Sequence, residues 1–388
     1  MSIEARRQYL SAIQLRYQNA RKFEKTRILD EFCQVCGYSR KYAIRVLQGR
    51  LKPRLSSRPG PSPLYGPALV RHLVILWEAM NRICSKKMKS ALPLWLPYYR
   101  APDFTAEIRE LLLKISPATI DRHLAPHRRS SLRGISTTQP RKMTWIKSQI
   151  PIELLHARVT EPGFIEADTV AHCGDSVAGT FASSLTMTDL QSGWTENRAC
   201  LGKDSLAVLQ QIQCIERSLP FPMQGFACDN GTEFLNESLL RHFQERNTRP
   251  VKFVRRRPYK KNDAAHVEQK NWTHVRQLFG YERIEDPDLV AMMNEIYRWY
   301  WNPLLNYFTP TMKLAEKTRV GAKLIKRYEK TPRTPYDRLM ANPALSGLLK
   351  QPLHERRSLL NPFKLKQELD RKLKIFFQLV EIYKRRVA

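Results

Sequence analysis

Three carboxylates in this 388-residue chain, Asp168, Asp229 and Glu268, have types and spacing suited to metal-assisted chemistry. Asp168 falls inside a run of small and β-branched residues, FIEADTVAHC at 164–173, with apolar neighbours on both faces of the expected ribbon. A carboxylate there is costly to bury unless something cationic meets it. Asp229 follows a short apolar run and opens Asp-Asn-Gly, which is also an ordinary turn sequence. Glu268 stands just past the first turn of a helix expected from Ala264 and capped by Asn262 or Asp263, with Asn271, Trp272 and Val275 on its side. The intervals are 60 intervening residues and then 38. Hard divalent cations take oxygen ligands, and two of them roughly 3.5–4 Å apart can stabilise both the entering and the leaving oxygen of an in-line phosphoryl displacement. No Ser, Tyr or Cys nucleophile is then required.

The elements that position these groups are legible in the period of the surrounding residues. Strand-like runs occupy 164–173, 180–189 and 195–201, with Gly193 in the turn between the last two. A helix at 204–215, a strand at 225–228, a helix at 236–246, a strand at 251–254, a basic loop and the helix from Ala264 follow. The order βββαβαβα is that of a ribonuclease-H-like α/β core with a mixed five-stranded sheet, in which the fourth strand neighbours the first and sets Asp168 beside Asp229. Glu166 shares the strand face of Asp168 and reads as a supporting or structural residue. Glu233 is an alternative third carboxylate, although it follows Asp229 too closely to come from a separate element. His172 and His266 read as satisfied structural histidines, and Trp272 as core. Arg255, Arg256, Arg257, Lys260 and Lys261 directly precede the Glu268 helix and are expected to hold a DNA backbone near the carboxylates.

Charge supports that partner. Lys and Arg number 66 against 36 Asp and Glu, a formal net charge of +30, while 42% of residues are hydrophobic. The chain therefore folds, and a fold this basic needs a polyanion, by default nucleic acid. The charge is +20 over residues 1–150, −6 over 151–250 and +16 over 251–388, so an acidic island lies between two basic arms. Phosphate binding gives no reason for that island, whereas metal binding does.

Within the first arm, apolar periods on either side of Cys36-Gly37-Tyr38 predict a helix-turn-helix, with Ser39 capping a second helix that presents Arg40, Lys41 and Arg45. Ser116-Pro117 opens a helix of a second such unit, with Thr119, Arg122 and His123 outward. Prolines mark a linker at 53–67, and a basic linker is expected at 128–157. The expected domains are 1–52 and 68–127 for DNA binding, 158–303 for the core, and 304–388 as a basic region for DNA binding or oligomerisation. In that last region an apolar stripe from Leu365 to Val380 can either close a subunit contact or fold back on the core. The seven scattered cysteines read as reduced thiols, and Cys33 and Cys36 lack the partners of a zinc site. With no signal-like or membrane-spanning stretch, a cytoplasmic, nucleoid-associated protein is expected.

The segments GFIEADTVAHCG, FACDNGTEF and RPYKKNDAAHVEQKNW, in that order, resemble the catalytic core of the integrase-like DDE transposases of bacterial insertion sequences. The likeness covers roughly residues 158–340, including the later NYFTPTMKL and TPYDRL. The second interval is slightly longer than in the retroviral relatives, which bears on the length of the loop before the last helix. The resemblance implies that Asp168, Asp229 and Glu268 are catalytic and hold two Mg²⁺ or Mn²⁺ ions. It implies a transposase that binds terminal inverted repeats and cuts and joins DNA, acting on element ends and target as at least a dimer. A catalytically idle DNA-binding regulator derived from such an enzyme is the alternative. A nuclease of RNA–DNA hybrids fits less well, because paired helix-turn-helix units imply duplex recognition.

Overall fold

A computed structural model of the chain describes residues 3–49, 64–128, 149–152, 159–202, 204–231, 233–246, 249–256, 270–320 and 323–387. Two compact units divide it, residues 1–66 and 67–388. In the first, helices α1 (Ile3–Asn19), α2 (Lys22–Cys36) and α3 (Arg40–Leu47) enclose Tyr17, Ile28, Leu29, Phe32, Ala43, Val46 and Leu47. Gly37 ends α2 in the left-handed region (φ 69°), where its N–H reaches the Cys33 carbonyl. Ser39 stands at the N-cap of α3, but its side chain makes no cap bond. Cys36 is buried in this core.

The second unit begins with α4 (Pro67–Ala79), α5 (Ser85–Trp95), α6 (Ala106–Lys114) and α7 (Pro117–Leu124). Ser116 caps α7 by accepting the Thr119 N–H at 3.2 Å, with Pro117 in the first turn. The indole N–H of Trp95 donates to the Phe308 carbonyl at 3.1 Å, and its ring meets Phe363 edge-on at 5.0 Å. The segment expected as a separate domain at 68–127 is thus packed into a unit that runs on to the end of the chain.

The strands are β1 (Phe164–Ala171), β2 (Ala182–Asp189), β3 (Thr195–Leu201), β4 (Gly225–Cys228) and β5 (Lys252–Arg255), each within about two residues of its expected bounds. They form one sheet in the order β3-β2-β1-β4-β5. The first three pair antiparallel, and β4 joins β1 and β5 in parallel, which is the ribonuclease-H-like arrangement. Helix α8 (Ser205–Glu216), capped by Asp204, packs on β2 and β3, and α9 (Glu237–Gln244), capped by Asn236, packs on α8 and β5.

Beyond the sheet come α10 (residues 270–279 of the described chain), which includes the π-helical turn Asn271–Arg276, and α11 (residues 287–308), which contains a second such turn at Tyr297–Trp301. Helix α11 lies along β3, an edge strand whose outer backbone groups need partners. Asparagines supply them. Asn294 accepts the Ala199 N–H and donates to the Ala199 carbonyl, both at 2.8 Å. Asn306 does the same for Thr195 at 3.0 and 2.9 Å, and between them Asn302 donates to the Asn197 carbonyl at 3.4 Å. At the opposite edge the Arg255 N–H donates to the Pro151 carbonyl at 2.9 Å, and Ile152 forms a parallel bridge with Arg255.

A hairpin of β6 (Leu314–Val320) and β7 (Lys323–Tyr328) follows, then α12 (Pro335–Ala341), α13 (Gly347–Leu359) and α14 (Pro362–Val387). The hairpin was not expected, because its basic, polar sequence has no clear apolar alternation. The stripe on α14 folds back: Leu369, Phe376 and Val380 are buried, Phe376 meets Phe279 at 5.0 Å, and Lys372 pairs with Glu295 at 2.6 Å. No described helix is long and apolar enough to cross a membrane.

Replacing Asn294 or Asn306 by Ala strands one donor and one acceptor of β3, so each change should cost about 1–3 kcal/mol of stability. Urea denaturation checks this, and a loss no larger than that of an exposed Asn→Ala control would show that water serves the edge equally well.

Candidate active site

The parallel register pairs Phe164 with Gly225, Ile165 with Phe226 and Glu166 with Ala227. The same offset, continued two residues, sets Asp168 opposite Asp229. Asp168 is half-buried; its Oδ1 accepts the Thr169 N–H at 2.8 Å and its Oδ2 accepts from the Asn271 amide at 2.7 Å. Burial, and then the charge of Asp229, push its carboxyl up to about 7 against the opposing pull of Arg256. Asp229 is half-buried, and its Oδ1 accepts the Gly231 N–H at 2.9 Å. Asp-Asn-Gly is therefore a turn and a site at once. Gly231 leaves room for both carboxylates there: a Cβ would lie 2.5 Å from Glu233 Oε2 and 3.0 Å from Asp229 Oδ1, so those side chains would have to shift. Asn230 ties the turn to β5, donating to the Arg256 carbonyl at 3.1 Å and accepting from Arg255 at 3.2 Å.

Glu268 lies outside the described residues, as do Arg257, Lys260, Lys261 and His266. Asn271, three positions on in sequence, brings its helix to Asp168. Glu166 is buried and pairs with Arg256 at 3.1 Å, the structural part expected of it. Glu233, set aside as too close to Asp229, is also buried, and its Oε1 accepts the Thr169 hydroxyl at 3.0 Å, on the face of β1 opposite Asp168. His172 bonds Ser184 at 2.8 Å, and burial beside Arg276 pulls it down to about 3, so it is a neutral structural group.

Two expectations need correction. Arg256 is turned inward, its guanidinium spent on Glu166 and the Ala167 carbonyl, so it braces β1 and is not placed to hold a DNA backbone. Trp272 is 48% exposed, because the π-helical turn at 271–276 breaks the 3.6-residue spacing from which a core position was expected. Arg255 is half-buried and donates to the Ile150 carbonyl at 2.9 Å. Lys41, Arg45 and Arg122 are exposed, Arg40 is exposed and paired with Asp30, and Thr119 is half-buried with its hydroxyl on Ser116.

Among the described residues no group of three or more His, Cys, Asp or Glu side chains is arranged to hold a metal ion. Asp168 and Asp229 are nonetheless a fitting pair of donors. They are hard oxygen ligands, the charge of Asp229 adds to the raised proton affinity of Asp168, and a divalent cation between them would relieve what burial costs.

The carboxyl of Asp168 is raised from its ordinary 3.8 to about 7 in the fold, so the folded state binds this proton more tightly than the unfolded chain. That contribution to stability is fully present below about pH 4 and is lost as pH rises through 7. In EDTA, Asp168→Asn should accordingly melt above the parent at pH 8, with an advantage that shrinks towards pH 5. Mn²⁺ should raise the melting temperature of the parent and leave the variant unmoved. Parallel pH profiles with equal Mn²⁺ responses would overturn this account of Asp168.

No family model matches the chain. Two solved structures are similar to it at 13% identity: the catalytic core domain of BIV integrase, over 50% of this chain and 97% of that one with a TM-score of 0.27, and a simian T-cell lymphotropic virus intasome in complex with the PP2A regulatory subunit B56 gamma, over 61% and 70% with a TM-score of 0.31. A protein of Sinorhizobium fredii, the uncharacterized protein y4rM, is 36% identical over 338 residues, which span 84% of this chain and 93% of that relative. A match of that depth over nearly the whole of both sequences means that the chain belongs to the same family as y4rM.

Proposed function

We propose that the protein is a DDE-type transposase that binds the inverted repeats ending an insertion sequence and catalyses metal-dependent cleavage and strand transfer of DNA. The observation that carries this reading is the pair of carboxylates set opposite one another by the β1–β4 register, with Asn271 reaching the inner one from the helix that follows Glu268 in sequence. The three sequence segments and the strand order support it.

Asp168 and Asp229, with Glu268, would hold two Mg²⁺ or Mn²⁺ ions. When bound, these would supply Lewis acidity at the phosphoryl group and at the attacking and departing oxygens. The chain's own residues have separate tasks. The Asn271 amide and the Thr169 N–H each fix one oxygen of Asp168, holding the carboxylate in one orientation. Arg256, locked to Glu166, keeps a positive charge behind Asp168 and favours its ionised form. The Asp229–Gly231 turn fixes the second carboxylate without a side chain in the way. Exposed cations on α3, including Lys41 and Arg45, supply phosphate contacts for recognition of element ends, and a second copy of the chain is needed to join two ends in one event.

The test uses Asp168→Asn and Glu268→Gln proteins with Mg²⁺ and a labelled duplex carrying the element's end. Binding should persist while cleavage falls by at least about 100-fold, the scale of removing one positioned electrostatic stabiliser. Full cleavage by either variant would sink the assignment. Removal of residues 1–66, a compact unit by itself, should abolish preference for the end sequence while leaving unspecific affinity. Survival of that preference would move recognition elsewhere in the chain.

A further inference from the structure

A cavity of about 440 Å³ lies within the second unit, walled by Lys87 on α5, Thr188 on β2, Lys270 and His274 on α10, Lys313, and Arg338 on α12. Its volume is within the roughly 300–1,000 Å³ of small-molecule sites. Its charge is unusual for an interior, because four cations line it. Arg338 is neutralised by Glu329 at 2.7 Å, and Lys313 donates to the Gln191 carbonyl near Asp189. Burial, and then the charge of Lys87, pull Lys270 down to about 7, and among the described residues neither lysine has a carboxylate partner. The one carboxylate in the wall, Asp189, is occupied by the Gly163 N–H at 2.8 Å and by the N–H and hydroxyl of Ser192 at 2.7 and 2.6 Å. His274 is 4% exposed, and its Nδ1 is buried without a hydrogen-bond partner. Burial next to Lys270 and Lys87 holds this ring neutral.

Like charges and a buried ring nitrogen with no protein partner, gathered around one cavity, favour a ligand that meets them. The ligand must carry negative charge and accept hydrogen bonds. Position narrows it further. Thr188 is opposite Glu166 in the β1–β2 register and Thr186 is opposite Asp168, so the cavity meets the sheet on the face of the carboxylates, two residues along. Lys270 enters the cavity from the residue next to Asn271, which holds Asp168. A duplex does not fit such a volume, whereas one nucleotide does.

We infer that this cavity is a binding site for a single phosphate-bearing group of nucleotide size, gripped by Lys87 and Lys270 with His274 as a further polar contact. The phosphate comes either from the terminal nucleotide of a DNA strand or from a free nucleotide. The first source rests on the proposed function, whereas the site itself does not.

Full-length Asp168→Asn protein in EDTA, titrated calorimetrically with inorganic pyrophosphate at about 0.3 M salt to screen surface charge, isolates the cavity from metal and cleavage. One molecule should bind per chain. Lys87→Met/Lys270→Met should weaken it at least tenfold while raising the melting temperature of the ligand-free protein, since a mutual repulsion is removed. Thr188→Val serves as a second, milder variant, expected to weaken binding a few-fold in a folded chain. No binding, or binding unchanged in the lysine variant, overturns the site. Stronger displacement of pyrophosphate by a 5′-phosphorylated dinucleotide than by its 5′-hydroxyl form assigns the pocket to a strand end, and stronger displacement by deoxyadenosine monophosphate than by either assigns it to a free nucleotide. Loss of pyrophosphate binding in a chain that still cleaves DNA would refute the cavity alone, and pyrophosphate binding by a parent chain that never cleaves would refute the proposed function alone.

Discussion

The mutual repulsion of Asp168 and Asp229 is the constraint on which the second unit depends. Parallel pairing of β1 with β4 brings the two carboxylates together, and the fold then has to hold them there. It does so with the Thr169 N–H and the Asn271 amide on the inner carboxylate, a turn N–H on the outer one, and one guanidinium behind, itself engaged by Glu166. Burial first, and then the charge of Asp229, still leave the proton affinity of Asp168 raised. Other features serve this geometry: a small residue at 231, a π-helical turn at 271–276 next to Asn271, and an Arg256 that faces inward.

Much of this was legible in the sequence because it is local. Strand limits at 164, 195 and 225 follow from alternation and from turn residues, and Ser116-Pro117, Asp204 and Asn236 announce their helices by cap chemistry. The neighbouring of Asp168 and Asp229 follows from strand order alone. What was not legible depends on contacts far apart in the chain. Nothing near Trp95 indicates that its indole will meet the carbonyl of Phe308, 213 positions away, and so residues 68–127 read as a free-standing unit. Arg256 looks like its basic neighbours until Glu166 is known to be beside it. Nothing in the sequence links Lys87 with Lys270, 183 positions apart, and only the fold shows them around one volume.

The excess of 30 positive charges is thus not uniform in kind. Some of it is exposed on α3 and α7, where it suits a polyanion approaching from solvent. Part is internal and structural, as in the buried pair of Arg198 with Glu196 at 3.2 Å. A third portion lines the cavity beside the carboxylates, where an anion is drawn in by charge and selected by size.

The asparagines of α11 carry a consequence of a different kind. A mixed sheet with two open edges can grow by recruiting a strand from another molecule, the route to both β-linked dimers and aggregates. Here side-chain amides occupy one edge at 195, 197 and 199, and the backbone of residues 151–152 occupies the other. Among the described residues both edges of the sheet thus have partners at these positions, which leaves less of it open to a strand from another molecule.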